Sequence, residues 1–165
     1  MIVEIGVYEG ASAAAMCGVV GPGTVMHLID PFGEQPTALR AGWAATESAS
    51  KAVVRRAARG RDIDVRWHVG FSQEIGRTWT EPIDLVFIDG DHAEEPTLED
   101  WELYSAHVRP GGHVLFHDAR DGSADGLGLP GPTAVVDRLF RGDSAVEGWS
   151  IAAEVDRTVA VRRDS

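Results

Sequence analysis

The chain has 165 residues, of which 44% are hydrophobic and 25% are charged, a composition that predicts one compact globular domain. Its formal net charge of −11 argues against a polyanionic partner such as nucleic acid. Cys17 is the single cysteine, which excludes an internal disulfide, and neither a membrane-spanning run nor a signal-like leader is evident, so we expect a cytoplasmic protein without a membrane partner.

The first predicted element is a strand, Ile2–Ile5, that leads into a glycine turn and then into a helix of small residues. The turn has the spacing Gly6-x-x-x-Gly10, and Glu4 lies two residues before its first glycine. A dinucleotide fold needs Gly-x-Gly-x-x-Gly, and a carboxylate this close would repel a pyrophosphate but attract an ammonium group. The pattern favours a cofactor with an amino acid end; an ordinary turn with a solvated Glu4 is the alternative.

The second and third predicted strands each end at a candidate cofactor contact. Strand Thr24–Ile29 is followed by Asp30, whose carboxylate could accept hydrogen bonds from both hydroxyls of a ribose. Strand Asp64–Val69 is followed by Phe71 and Ser72, which could contact an adenine. The other interpretation of that segment is a βα turn in which Ser72 caps the next helix.

Polar side chains also follow the fourth and fifth predicted strands, Ile83–Ile88 and His113–His117. Because adjacent parallel strands end at the same edge, Asp89 and Asp118 are expected to converge there, where a divalent ion such as Mg²⁺ would offset their repulsion. His92 is placed to take a proton from an acceptor hydroxyl near neutral pH. Turn and cap chemistry is the alternative for both aspartates. For His117, the residue before Asp118, a buried strand position is the first interpretation; a metal ligand and a residue that supports the metal ligands are the alternatives.

The remaining elements are helices and a terminal hairpin. Helices are predicted at Thr97–Val108, ended by Pro110-Gly111-Gly112, and at Pro132–Phe140. Strands Trp149–Val155 and Thr158–Arg162 are separated by two residues only, which demands an antiparallel hairpin.

These motifs resemble those of class I S-adenosylmethionine-dependent methyltransferases, and most closely the methyltransferase domain 24 family, which is related to metal-dependent sugar and catechol O-methyltransferases. The segments that carry the resemblance are residues 3–12, 28–31, 84–92 and 110–118. It implies a single Rossmann-like α/β domain over 1–165, with a seven-stranded, mostly parallel sheet in the order 3-2-1-4-5-7-6.

Site roles follow from the same resemblance. His92 would be the catalytic base, and Asp89 and Asp118 would bind Mg²⁺. Glu4, Gly6 and Gly10 would hold the methionine end of the cofactor, and Asp30 its ribose. The complete set of expected cofactor contacts is Glu4, Gly6, Tyr8, Gly10, Ser12, Asp30, Pro31, Phe71, Ser72 and Asp89.

Two departures from the family pattern qualify these roles. Metal-dependent relatives carry a second carboxylate or an amide beside the last aspartate, where this chain has His117 and Ala119. Family members also have lid helices before the first strand, whereas this chain begins with the strand itself; either the lid helices are absent or the start of the sequence is truncated or misassigned. The acceptor pocket would then be covered by a second subunit, as in a homodimer, or by the loops Gly33–Trp43 and Ala119–Pro132, or it would stay open.

The leading hypothesis is transfer of a methyl group from S-adenosylmethionine to a hydroxyl oxygen of a small molecule, such as a sugar or a natural-product intermediate. This transfer would be assisted by Mg²⁺. A catalytically weak or inactive domain that binds S-adenosylmethionine is the alternative. An NAD-dependent oxidoreductase is a third hypothesis, disfavoured by the missing Gly-x-Gly-x-x-Gly and by the terminal hairpin.

Overall fold

The computed structural model of the protein describes residues 1–33, 47–120, 128–142 and 145–165. Seven strands form one sheet in the order β3-β2-β1-β4-β5-β7-β6, which confirms the predicted topology. The strands are β1 (Ile2–Ile5), β2 (Thr24–Asp30), β3 (Ile63–Val69), β4 (Ile83–Ile88), β5 (Val108–Phe116), β6 (Trp149–Val155) and β7 (Thr158–Arg163). The helices are α1 (Ala11–Val19), α2 (Glu47–Ala58), α3 (Ser72–Gly76), α4 (Glu94–Ser105) and α5 (Pro130–Phe140).

The strand register brings the predicted site residues to one edge of the sheet. Strands β1 to β5 are parallel, and the last residue of β1, Ile5, pairs with Ile29 and with Ile88. Ile88 in turn pairs with Phe116. The residues that follow these four positions therefore lie side by side at the carboxyl edge of the sheet, where ligands bind in open α/β sheets.

Hydrophobic residues of the strands pack against helices in two clusters. One joins α1 and α2 to strands of the β2 side and includes Ala13, Cys17, Met26, Leu28 and Val54. The other joins α4 and α5 to the β4, β5 and β7 side and includes Val86, Trp101, Phe116, Val136 and Val161. Cys17 is fully buried, as expected for a packing residue.

The predicted helix Thr97–Val108 is misplaced: α4 begins at Glu94 and ends at Ser105. Strand β5 then begins at Val108, so Pro110-Gly111-Gly112 lies within a strand rather than in a turn. The reason is an irregularity between Ile83 and Leu85, whose partners on β5 are Val108 and His113. The intervening residues of β5 bulge, and Gly111 adopts a left-handed backbone (φ +81°).

The C-terminal part agrees closely with expectation. Helix α5 begins at Pro130, two residues before the predicted start, with proline in a position that needs no N–H donor. Strand β7 pairs antiparallel with both β5 and β6, which forms the predicted hairpin. Among the described residues, no helix combines the length and apolarity that crossing a membrane requires.

Candidate functional site

The turn after β1 is shaped by left-handed residues. Gly6, Tyr8 and Gly10 have φ angles of +84°, +49° and +80°. A Cβ at Gly6 would overlap the backbone carbonyl of Asp89, and one at Gly10 would crowd α2. An L side chain is strained in this backbone conformation at both positions, and at Gly6 it also has no space.

Asp30 holds this turn in place. Its Oδ2 accepts hydrogen bonds from the backbone N–H of Val7 (2.9 Å) and Tyr8 (2.7 Å). Its Oδ1 accepts one from the N–H of Phe32 at 2.8 Å. The carboxylate is buried, with 4% of the residue exposed. In this structure Asp30 organises the backbone at the ends of β1 and β2, and its contact with a ribose stays a prediction.

Glu4 is a fully buried carboxyl group beneath the same turn. Its Oε1 accepts a hydrogen bond from the Ser12 hydroxyl, and its Oε2 has no partner among the described residues. Burial raises the pKa of Glu4 to about 8; the hydrogen bond from Ser12 opposes the rise, and the charges of Asp89 and Asp30 add to it. An unpaired buried acceptor within reach of the charges of two other carboxylates is suited to a cationic ligand.

The turn after β3 is tied to α4 by a buried network. The Ser72 hydroxyl donates to Asp100 Oδ1 at 2.6 Å, and Gln73 Nε2 donates to the same oxygen at 3.2 Å. Tyr104 donates its hydroxyl proton to the Ser72 carbonyl at 2.8 Å. Phe71, not Ser72, occupies the cap position of α3, so the interpretation of Ser72 as a helix cap is wrong.

Four polar side chains meet at the ends of β4 and β5. His92 Nε2 lies 3.5 Å from Asp89 Oδ1 and 3.6 Å from Asp118 Oδ2. His117 Nδ1 lies 2.8 Å from Asp89 Oδ1 and 3.6 Å from Asp118 Oδ2. His117 is 33% exposed and belongs to this cluster, so its interpretation as a buried strand residue is wrong.

The backbone around the cluster fixes these side chains. His117 N–H donates to the Ile88 carbonyl, and Asp118 follows with a left-handed backbone (φ +50°), which aspartate tolerates better than most residues. Arg157, in the β6–β7 turn, places Nη1 3.5 Å from Asp118 Oδ1, while its carbonyl accepts from the Ala119 N–H. The terminal hairpin therefore supports the site directly.

The carboxylate of Asp89 and the imidazole of His117 shift each other's pKa values. Burial alone would raise the pKa of Asp89, but hydrogen bonds from His117 and His92 outweigh it and hold that pKa below its usual value. The hydrogen bond to Asp89 raises the pKa of His117, although burial opposes this. A proton on His117 is therefore stabilised by the adjacent carboxylates.

The donor atoms do not fit the predicted Mg²⁺ ion. Mg²⁺ takes oxygen ligands and usually retains several waters, whereas two imidazole nitrogens lie within 3.6 Å of the expected ligand oxygens. Arg157 also places a positive charge beside Asp118.

Three residues that were not expected from the sequence also shape the site. Gly131 in α5 packs on the backbone of His92, and Asp100 and Arg157 hold the neighbouring turns. The Pro-Gly-Pro sequence at 130–132 was the only available signal for Gly131. Of the loops expected to cover the acceptor, residues 34–46, including Trp43, and 121–127 lie outside the described residues.

Comparison with known proteins adds a family and a fold. A family model described as a methyltransferase domain matches residues 3–119. Uncharacterized protein R132 of Acanthamoeba polyphaga mimivirus is 31% identical over 122 residues, which cover 72% of this chain and 51% of the viral protein. The chain thus spans about half the length of this curated relative.

Solved structures share the architecture. The O-methyltransferase NovP superposes with a TM-score of 0.75 at 18% identity, covering 99% of this chain and 72% of NovP. The O-methyltransferase TomG of Streptomyces achromogenes, involved in tomaymycin synthesis and solved with SAM, gives 0.64 at 16% identity, covering 99% and 73%. At these identities the similarity is one of fold.

Proposed function

The chain belongs to the methyltransferase-domain family, and from that premise we propose that it transfers a methyl group from S-adenosylmethionine to a hydroxyl oxygen of a small molecule. The observation that carries this proposal is the buried, unpaired Glu4 carboxyl beneath the glycine turn, with Asp30 and Asp89 close enough to perturb it. Such a concentration of acidic groups favours a cationic cofactor and disfavours the pyrophosphate of NAD.

Each group has a distinct task in this proposal. S-Adenosylmethionine, when bound, supplies an electrophilic methyl group on a sulfonium centre. Glu4 accepts from the cofactor's ammonium group, and the turn held by Asp30 presents backbone N–H and C=O groups to its methionine and ribose portions. The turn at Phe71 and Ser72, fixed by Asp100, borders the adenine.

His92 is the proposed proton acceptor for the attacking hydroxyl. The His92 side chain is 38% exposed, and its Nε2 faces two carboxylates at 3.5 and 3.6 Å. The positive charge of the imidazolium that would form is therefore compensated. Methyl transfer by in-line displacement depends mainly on holding the oxygen near the methyl carbon, and proton removal makes that oxygen a better nucleophile. Positioning of the acceptor oxygen and removal of its proton would both take place at the carboxyl edge, beside His92.

The acceptor is proposed to be a small hydroxylated metabolite, such as a sugar or a natural-product intermediate. TomG acts in the synthesis of a natural product, and both it and NovP are O-methyltransferases with this fold. The exposed side chain of His92 supports an acceptor that approaches from solvent at the carboxyl edge.

The test compares the wild-type chain with His92→Ala. S-Adenosylhomocysteine binding is measured by calorimetry, and methyl transfer is measured with labelled S-adenosylmethionine across a panel of hydroxylated acceptors. We expect His92→Ala to abolish transfer and to bind S-adenosylhomocysteine within about twofold of wild type, because His92 acts on the acceptor.

A control variant and two possible outcomes separate methyl transfer from cofactor binding alone. His107→Ala, at the opposite end of β5, controls for the loss of any imidazole and should retain transfer. Binding without transfer to any acceptor would favour a domain that only binds the cofactor. Transfer that survives His92→Ala would show that His92 is not the proton acceptor.

A further inference from the structure

The same cluster contains a compact set of metal-ligand atoms. Asp89, His92 and His117 each offer one such atom, and the three atoms lie within 4.8 Å of one another. Two of the separations, both measured from Asp89 Oδ1, are 2.8 Å to His117 Nδ1 and 3.5 Å to His92 Nε2. Ligands bound about 2.0–2.2 Å from one ion lie roughly 3 Å apart, so little movement is needed to enclose one.

The chemistry of these atoms selects among ions. Two imidazole nitrogens and one carboxylate form a set typical of Zn²⁺, Fe²⁺ and related first-row ions, whereas Mg²⁺ prefers oxygen ligands alone. Asp118 Oδ2, 3.6 Å from both imidazoles, adds a second negative charge near the ion without belonging to the three-residue group. Arg157, whose Nη1 lies 3.5 Å from Asp118 Oδ1, offsets part of that charge, so Asp89 is the carboxylate on which ion binding mainly depends.

We propose that Asp89, His92 and His117 bind a divalent first-row transition-metal ion in preference to Mg²⁺, and that the bound ion competes with proton acceptance at His92 Nε2. One lone pair on that nitrogen can hold either the ion or a proton. The competition rests on the function proposed above, whereas the metal binding does not. The ion would thus act as an inhibitor of methyl transfer.

Metal binding is tested on the full chain after removal of ions with a chelator. Calorimetric titrations with Zn²⁺ and with Mg²⁺ give two affinities, and Co²⁺ serves as a spectroscopic probe because its visible absorption reports nitrogen ligation. We expect one Zn²⁺ per chain, with an affinity at least about 100-fold above that for Mg²⁺. Equal affinities for the two ions would overturn the proposal.

The selectivity is tested by exchanging one ligand. His117→Asp replaces a nitrogen ligand with oxygen, so Zn²⁺ binding should weaken by about tenfold or more and Mg²⁺ binding should strengthen. His107→Asp, which introduces the same change at the far end of β5, should leave both affinities at the wild-type level. Circular dichroism and the melting temperature establish that both variants fold. Zn²⁺ binding unchanged in both His117→Asp and His92→Ala would place the ion elsewhere and refute the assignment.

The inhibitory role has a separate readout. Zn²⁺ should reduce methyl transfer with a half-maximal concentration close to its calorimetric dissociation constant, and added chelator should restore activity. Activation by Zn²⁺ would refute the competition while leaving the binding result intact. If no acceptor is methylated, the proposed function fails, but the calorimetric and Co²⁺ results still decide the metal site.

Discussion

Gly131, in the first turn of α5, packs directly on the backbone carbonyl of His92, and a Cβ at Gly131 would overlap that oxygen and the backbone of Ala93 and Glu94. The start of α5 is thereby pressed against the loop that carries the proposed proton acceptor. Leu129, just before α5, donates its N–H to the Asp118 carbonyl at 2.9 Å. The first residues of α5 and the residue before it therefore contact the backbone of both His92 and Asp118.

Gly131→Ala should impair catalysis without impairing cofactor binding. The added methyl group has no space, so the His92 loop or α5 must shift, and a displacement of about 1 Å at a reacting group can cost about 100-fold in rate. We expect the turnover number for methyl transfer to fall while the dissociation constant for S-adenosylhomocysteine is retained.

Gly18→Ala is the matched control for that substitution. Gly18 lies in α1 with nothing within 4 Å of the added Cβ, so alanine there should be neutral or stabilising by about 0.5–1 kcal/mol. An equal loss of cofactor affinity and turnover in Gly131→Ala would instead indicate general unfolding, which thermal denaturation would detect.

Glu4→Gln should change the proton linkage of cofactor binding. The pKa of Glu4 is raised to about 8, so the wild-type carboxyl is largely protonated at pH 7. An ammonium group beside it favours the ionised form, so cofactor binding at pH 7 should release up to one proton from Glu4. Calorimetry in buffers of different ionisation enthalpy measures that release, which should be smaller in Glu4→Gln.

The same linkage has a pH dependence with a definite sign. Cofactor affinity of the wild-type chain should increase as pH rises from 7 toward 8, because less work is then needed to ionise Glu4. Glu4→Gln should lose this part of the increase, and the residual pH dependence belongs to the cofactor's own amine. Identical proton release by both proteins would contradict a contact between Glu4 and the ammonium group.

The positions of Asp30, Asp89 and Asp118 could be predicted from sequence because each lies at or just beyond the end of a strand whose apolar pattern is clear. Register then brings parallel strand ends together without further information. His117 was misjudged because β5 ends at Phe116, and the side chain leaves the pleat toward Asp89. A one-residue difference in strand length decides such a position.

Other contributions depend on packing between distant segments. Gly131 and Arg157 reach the cluster from α5 and from the terminal hairpin, and no local pattern specifies those contacts. Asp100 lies beside Trp101 in a predicted helix, but its burial follows from α3 packing over it. Long-range packing of this kind cannot be derived from residue periodicity.

Asp100→Ala should destabilise the chain and weaken cofactor binding. The substitution removes the acceptor for Ser72 and Gln73, and an unsatisfied buried hydroxyl typically costs about 1–3 kcal/mol. The turn at 71–73 then loses its anchor, so the affinity for S-adenosylhomocysteine should fall as well. Chemical denaturation and calorimetry measure the two effects.

Asp100→Asn separates the roles of shape and charge at this position. The amide retains an acceptor oxygen, so its effect at pH 7 should be smaller than that of alanine. Burial raises the pKa of Asp100 to about 7, although the hydrogen bond from Ser72 opposes the rise. The wild-type chain should therefore lose stability as pH rises from about 4 through 7. The Asp100→Asn variant should not show this loss, because its amide does not titrate. Glu99→Gln, at an exposed neighbour paired with Arg77, should change stability by less than about 1 kcal/mol.

His27 and His68 should make the fold sensitive to mild acid. Their rings are stacked, with His27 Nδ1 2.9 Å from His68 Nε2, and Trp79 packs edge-on against His27. Burial lowers the pKa of both imidazoles, and for His27 the neighbouring His68 lowers it further, whereas Glu81 opposes the shift at each. Arg66 also lowers both values, and Asp64 raises that of His27.

The sign of the effect follows from these lowered values. Unfolding frees both imidazoles to titrate near their ordinary value of 6.5, so the unfolded chain binds more protons below that pH, and stability is lost as pH falls from about 6.5 through the folded values. Urea denaturation at pH 7.5 and 5.5 measures the loss. His68→Gln retains hydrogen-bonding capacity but removes one titrating group, so its loss should be smaller than that of wild type. The control variant His107→Gln, at a residue between α4 and β5, should lose as much stability as wild type. If both variants lost less stability than wild type by the same amount, the His27–His68 pair would not be the cause.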